Sequence, residues 1–293
     1  MNKIGIVAGV YPGLPQNILN ENQIEAIDAK LDWPELAEQT GQNTFEKMRE
    51  IDRKGLVSFG KTSQPSPKNF LDAYQRKFDE GYSQVICINV TSKLSGTHNS
   101  ALQAIKYLPE DKQDKIFVFD TLSASVGQGM FVLKAVELIK QGRTAEEVIA
   151  GLNQLLLNLR TFIVFENLKW LEKSGRISSL ASTIASKMAQ SGIRPLMSFV
   201  EGKLKPVGVK MGVKEVAQAL FLQFKKENEV INLEGKTIKI AIAHGDDMEG
   251  AQKLKRLIEE GFPQANVLFI NMLHDLIGTI AGPNTLAVAW YVE

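Results

Sequence analysis

Short apolar runs alternate with amphipathic segments along almost the whole chain, and this alternation restricts the fold more than any other feature. Runs of this length, bounded by turn residues, read as buried strands. When each is followed by a helical pattern, the chain builds strand–helix units, which is an α/β protein with a largely parallel sheet. Residues 4–7, 85–90 and 116–119 are the strands of the first half. Between them, Ser66-Pro67 supplies an N-cap serine and a proline at the first helical position, and the amphipathic stretch 70–78 stops at Gly81. Residues 100–108 and 129–139 form further helices, the second closed by Gly142. Thr144 and Glu147 have the spacing of a capping box for a helix that runs to about Leu159.

The texture then changes. A strand at 162–165 leads to two apolar segments within 195–209, separated by Glu-Gly-Lys, the pattern of a β-hairpin. Strands follow at 238–243, 267–271 and 286–292, the first two flanked by helices. A length of 293 residues suits two domains. We divide them as 1–158 and 159–293, although no Pro/Gly/Ser-rich linker marks the boundary.

Charge excludes one class of partner. The chain has 34 Lys+Arg against 33 Asp+Glu, a formal charge of +1, with the two signs interspersed. A nucleic-acid binder carries a basic surplus or stripe to displace phosphate counterions. A hydrophobic fraction of 44% with 23% charged residues suits a globular protein with a sizeable core. No apolar stretch approaches the roughly 18 residues of a membrane span, and the N-terminus reads as a strand rather than a signal segment. Cys87 is the single cysteine, which excludes an intrachain disulfide and a cysteine zinc site. A cytoplasmic location is expected.

One motif match is a decoy. Gly55-Leu-Val-Ser-Phe-Gly60-Lys61-Thr62 fits G-x-x-x-x-G-K-[ST] letter for letter. That pattern cradles phosphate only where a buried strand delivers the loop and a helix starts at the Lys-Thr. Here a charged helix end precedes it, and Ser-Gln-Pro-Ser-Pro follows, which forbids a helix. His98, His244 and His274 are far apart and lack metal-ligand spacing, so structural roles are favoured for all three.

Two hydroxyl-rich loops remain, Lys61-Thr62-Ser63-Gln64-Pro65-Ser66-Pro67 and Thr91-Ser92-Lys93-Leu94-Ser95-Gly96-Thr97-His98. Both lie at strand-to-helix junctions, where an open α/β sheet binds ligands and helix N-termini favour anions. The bland alternative is that Ser95 and Thr97 simply cap a helix.

In order along the chain, Thr-Ser-Gln-Pro-Ser, Leu-Ser-Gly-Thr-x-x-Ser-Ala, Phe119-Asp120-Thr121-Leu122-Ser123-Ala124-Ser125-Val126-Gly127-Gln128-Gly129 and Leu171-Glu172-Lys173-Ser174-Gly175-Arg176-Ile177-Ser178 resemble the DegV family of bacterial fatty-acid-binding proteins. The resemblance spans nearly the whole chain. It implies two α/β domains with a fatty acid held between them, the tail buried and the carboxylate near the surface, and the last strand packing back near the head-group site. It also implies a non-catalytic protein without a cofactor, which presents the fatty acid to a separate ATP-dependent kinase subunit that makes an acyl phosphate. On this resemblance Thr62 and Ser95 contact the head group, while Ser63, Gly96 and Thr97 shape the same pocket. Arg176 lies close to the ligand or to the kinase-facing surface; an interdomain salt bridge or a carbonyl-capping role is the structural alternative for it.

The sequence departs from the family at three places. Where acyl-binding members read roughly Ile-x-x-His-x-Gly-x-Gly, this chain has Ile277-Gly278-Thr279-Ile280-Ala281-Gly282-Pro283-Asn284, so Ile280 stands in the place of the ligand-binding histidine, beside Thr279. Ala8-Gly9-Val10-Tyr11 replaces Asp-Ser-Thr, and Lys210-Met211 replaces Lys-x-Arg. A lost hydrogen bond to an anion costs about 1.5–3 kcal/mol. Burying about fourteen methylenes contributes about 11 kcal/mol before association costs. The changes therefore threaten kinase coupling more than lipid binding. Two other classes compete: a regulatory or scaffolding protein without kinase coupling, and a hydrolase or transferase with Ser95 as nucleophile, for which His98 is the nearby base.

Overall fold

The structure, a computed structural model, describes residues 3–177, 193–213 and 215–293. The chain forms two compact units. Met1–Lys30, Ser63–Leu159 and Glu201–Lys203 make the first; Leu31–Thr62, Arg160–Val200 and Leu204–Glu293 make the second. The division at Leu159/Arg160 lies beside the expected boundary. Residues 31–62 and 201–203, however, join units to which a single cut at 158/159 does not assign them.

In the first half, β1 (Ile4–Ala8) and β2 (Glu25–Ala26) precede a small two-stranded sheet of β3 (Lys30–Asp32) and β4 (Lys61–Ser63); β5 (Gln84–Asn89) and β6 (Ile116–Asp120) follow. The sheet of the first unit has the order β2-β1-β5-β6 and is parallel throughout. Helix Pro67–Asp79 starts where expected: Ser66 and Asn69 form a reciprocal cap, with Pro67 at the first position. The Thr144–Glu147 box likewise opens helix Ala145–Asn158. Phe70, Ala73 and Tyr74 of the first of these helices pack with Val85, Cys87 and Ala101 in a fully buried core.

The second unit holds β7 (Arg160–Val164), β8 (Ile193–Val200), β9 (Lys203–Met211), β10 (Ile238–His244), β11 (Ala265–Met272) and β12 (Leu286–Val292), in the order β11-β10-β12-β7-β8-β9. The expected hairpin is β8–β9, turned by Glu201 and Gly202, both at positive φ as a two-residue turn requires. The expectation of a largely parallel sheet fails here. Among the described residues β10 and β11 pair parallel, whereas β12 runs antiparallel to both β10 and β7, and β7 is antiparallel to β8. Strand β12 is buried on both faces along six of its seven residues, so its apolar run carries no trace of direction. Trp290 of β12 is fully buried, stacked on Phe162 at 5.5 Å and tilted against Phe224 at 4.9 Å.

Residues 31–62 enter the second unit through helix Thr44–Arg53, whose Phe45, Met48 and Ile51 are fully buried. The ring of Phe45 lies against Gly278, where an added Cβ would sit 2.5 Å from Cζ, so only glycine leaves it room. On the same helix, Arg49 bonds the Asp246 carboxylate at 2.5 Å and Asn284 Oδ1 at 2.9 Å, clamping the loop after β10 to the turn before β12.

Candidate functional site

In the first unit, the hydroxyl loop after β5 is built by side-chain bonds to backbone. Thr121 Oγ1 donates to the Asn89 carbonyl at 2.8 Å, and Thr91 Oγ1 to that of Gly202 at 2.8 Å. The Asp120 carboxylate accepts the N–H groups of Ser92 and Leu122. The Thr91 carbonyl then takes the N–H groups of Leu94 and Ser95, which turns the chain into helix Thr97–Ile105. Ser95 is half-buried and Thr97 fully buried, with their hydroxyl oxygens 2.7 Å apart; Thr97 N–H also donates to Ser95 Oγ at 3.3 Å. The N-cap position of that helix falls to Gly96, which makes no side-chain cap bond, so neither Ser95 nor Thr97 is the N-cap residue, although Ser95 Oγ takes the first helical N–H from one position upstream. The first-turn N–H groups of a helix lack intrahelical acceptors, so this end still favours an anion.

The amide end of the Gln64 side chain lies over Gly96. A Cβ there would lie 1.9 Å from Gln64 Oε1, and Gln64 Nε2 donates to Ser100 Oγ at 3.3 Å. Gln64, which sequence reasoning did not single out, therefore fastens the Thr-Ser-Gln-Pro segment to the Ser-Gly-Thr segment. Its place inside the first motif was the available signal. Ser63 is exposed on β4.

In the second unit, Thr62 and Arg176 meet. Arg176 Nη2 donates to Thr62 Oγ1 at 3.3 Å, and Nη1 to the Ser174 carbonyl at 3.1 Å. The guanidinium is half-buried, and desolvation pulls its pKa down. Among the described residues no carboxylate lies within ion-pair distance, so the salt-bridge alternative finds no partner there while the carbonyl-capping one does. Ser178, the last residue of this motif, lies outside the described residues. Trp33, Phe59 and Trp170 cluster with ring centroids 5.4–5.7 Å apart, and Gly282, at φ +85°, approaches Trp170 so closely that a Cβ would lie 2.3 Å from its Cδ1.

Helix Asp275–Ala281 carries Thr279 and Ile280. Thr279 is buried and its hydroxyl donates to the Leu276 carbonyl at 2.9 Å. Its proton is committed to its own helix, which argues against Thr279 as a head-group donor. Ile280 is half-buried and offers no polar atom.

Among the described residues His98 Nδ1 is buried without a hydrogen-bond partner and the Ser95 side chain bonds only to Thr97, so no base is coupled to that hydroxyl there. His244 is 3% exposed and its Nδ1 accepts from Asp247 N–H; burial lowers its pKa despite the nearby Asp247 and Asp246. His274 caps a helix by accepting from Leu276 N–H. Among the described residues no group of three or more His, Cys, Asp or Glu could hold a metal ion, and no helix is long and apolar enough to cross a membrane. The decoy phosphate motif runs from the end of helix Thr44–Arg53 into β4, with no helix starting at Lys61-Thr62, so the backbone donors that phosphate needs do not converge.

The candidate groups are thus hydroxyl and guanidinium donors on an α/β frame, and among the described residues no base is coupled to the Ser95 hydroxyl. The chain belongs to the DegV family: the family model described as uncharacterised protein, DegV family, matches residues 3–293. A DegV domain-containing protein of Clostridium perfringens is 31% identical over 280 residues, 95% of this chain and 88% of its own length. Among solved structures, a fatty-acid-binding DegV family protein of Thermus thermophilus is similar with a TM-score of 0.82 at 24% identity, covering 99% of both chains. A stearic-acid-binding protein of Eubacterium ventriosum is similar at 0.81 and 20% identity, covering 98% of both. At these identities the structural likeness establishes the DegV fold.

Proposed function

We propose that the chain binds a long-chain fatty acid and holds its carboxylate through Arg176, Thr62 and Ser95. One observation carries the reading. Arg176 is a desolvated cation whose partners are a neutral hydroxyl and a carbonyl, with no carboxylate beside it among the described residues. A buried charge left without a counter-ion is costly, and a ligand carboxylate supplies what is missing. Thr62 Oγ1 already accepts from Arg176, so its proton is left for the same anion. The reading is supported by the relatives: the Thermus thermophilus and Eubacterium ventriosum proteins bind fatty acids, the latter stearic acid.

The chain passes its fatty acid to a separate ATP-dependent kinase subunit only poorly, because Ile280 stands where the family's histidine would reach the carboxylate. The experiment is a titration of delipidated wild type and Ile280→His with oleate, followed by acyl phosphate assay with a fatty acid kinase. Wild type binds oleate saturably; Ile280→His binds it roughly tenfold or more tighter, the value of one charged hydrogen bond, and yields more acyl phosphate. No saturable binding by wild type overturns the fatty acid reading. An Ile280→His variant equal to wild type in both assays shows that residue 280 is not what limits coupling.

A further inference from the structure

We infer that Thr97 is a positioning residue that turns Ser95 into a one-way donor, so that the loop accepts an acceptor head group such as a carboxylate and gains nothing from a donor one. The inference rests on the reading of Ser95 as a head-group contact. A hydroxyl has one proton to give and two lone pairs to receive. Thr97 is fully buried, and Ser95 Oγ, 2.7 Å away, is the one atom among the described residues within hydrogen-bond reach of its Oγ1. A buried hydroxyl proton left unpaired is costly, so Thr97 gives its proton to Ser95 rather than the reverse. Its methyl supports this rotamer by lying toward Gly9, where an added Cβ would stand 3.0 Å from Cγ2.

The backbone N–H of Thr97 donates to the same oxygen at 3.3 Å. Both lone pairs of Ser95 Oγ are then occupied by one residue, and what Ser95 keeps for a ligand is its own proton. Ser95 is half-buried, so a ligand can reach it. The same arrangement works against Ser95 as a nucleophile, because the electron pairs it would attack with are already engaged and no base takes its proton.

The test is a double-mutant cycle on the full chain with Thr97→Val, Ser95→Ala and the pair, together with Thr97→Ser, each titrated with a long-chain fatty acid and with the alcohol of the same length. Valine keeps the shape of threonine and removes the hydroxyl. Thr97→Val should lower fatty acid affinity about tenfold with little change for the alcohol, which can donate as well as accept. Thr97→Ser should stay within about twofold of wild type, and Thr97→Val should add nothing once Ser95 is alanine. If Thr97→Val weakens acid and alcohol alike, or costs the same factor in the Ser95→Ala background, Thr97 acts by packing and the inference fails while the reading of Ser95 stands. If Ser95→Ala itself leaves fatty acid affinity unchanged, both fail. Circular dichroism checks folding, and Thr97→Ala takes the place of valine in the cycle if the valine variant does not fold.

Discussion

Arg176→Ala should lower the affinity for a long-chain fatty acid by about 30- to 150-fold, equivalent to about 2–3 kcal/mol, while leaving binding of the corresponding methyl ester nearly unchanged. The magnitude is that of a charge-assisted hydrogen bond to the ligand, kept below the value for a fully buried ion pair because the guanidinium is half-buried and partly screened by water. Stability should move the other way. In the ligand-free protein Arg176 is a desolvated charge with neutral partners, so its removal should leave unfolding by urea unchanged or slightly harder. Arg176→Lys should recover only part of the affinity, since an ammonium keeps the charge but not the planar fork that can bond Thr62 and a carboxylate together. A variant that loses stability and retains affinity would assign Arg176 to structure and remove the main support for the carboxylate site.

Trp290→Ala should destabilise the second unit by about 3–5 kcal/mol, the range for emptying a large aromatic side chain from a packed core. Trp290 is 1% exposed and touches elements that reach it from three parts of the chain: Phe162 on β7, Ile240 opposite it on β10, and Phe224 on helix Val216–Asn228. Few neighbours can relax into the space, because β12 is held on both edges by antiparallel pairing. Urea unfolding followed by circular dichroism measures the loss, and Trp290→Phe, which keeps the stack on Phe162, should recover much of it. A loss below about 1 kcal/mol would mean that this cluster does not anchor the sheet.

The readable parts of this chain are those whose physics is local. Ser66-Pro67 and Thr144-x-x-Glu147 announce helix starts because a cap is made by residues three apart, and both caps form. Strand positions were legible for the same reason. The direction of β12 was not, since a strand buried on both faces looks alike read either way. Nor was the membership of residues 31–62 in the second unit, which depends on Phe45 meeting Gly278 and Arg49 meeting Asp246, contacts more than 190 residues apart in sequence. For the site, residue types in order were enough to recognise the family. The commitments of individual protons were not visible: Thr279 gives its hydroxyl to Leu276 and Thr97 pairs with Ser95, and both facts need coordinates.

Whether the chain carries a fatty acid can be read directly from the purified protein. Protein purified from cells, denatured and analysed by mass spectrometry for released lipid, should yield an acyl chain of roughly fourteen to eighteen carbons with a free carboxyl group, near one per protein molecule, the tail length that supplies about 11 kcal/mol or more of gross transfer energy. Repeated recovery of no lipid, together with no uptake of added fatty acid by the purified protein, would contradict it.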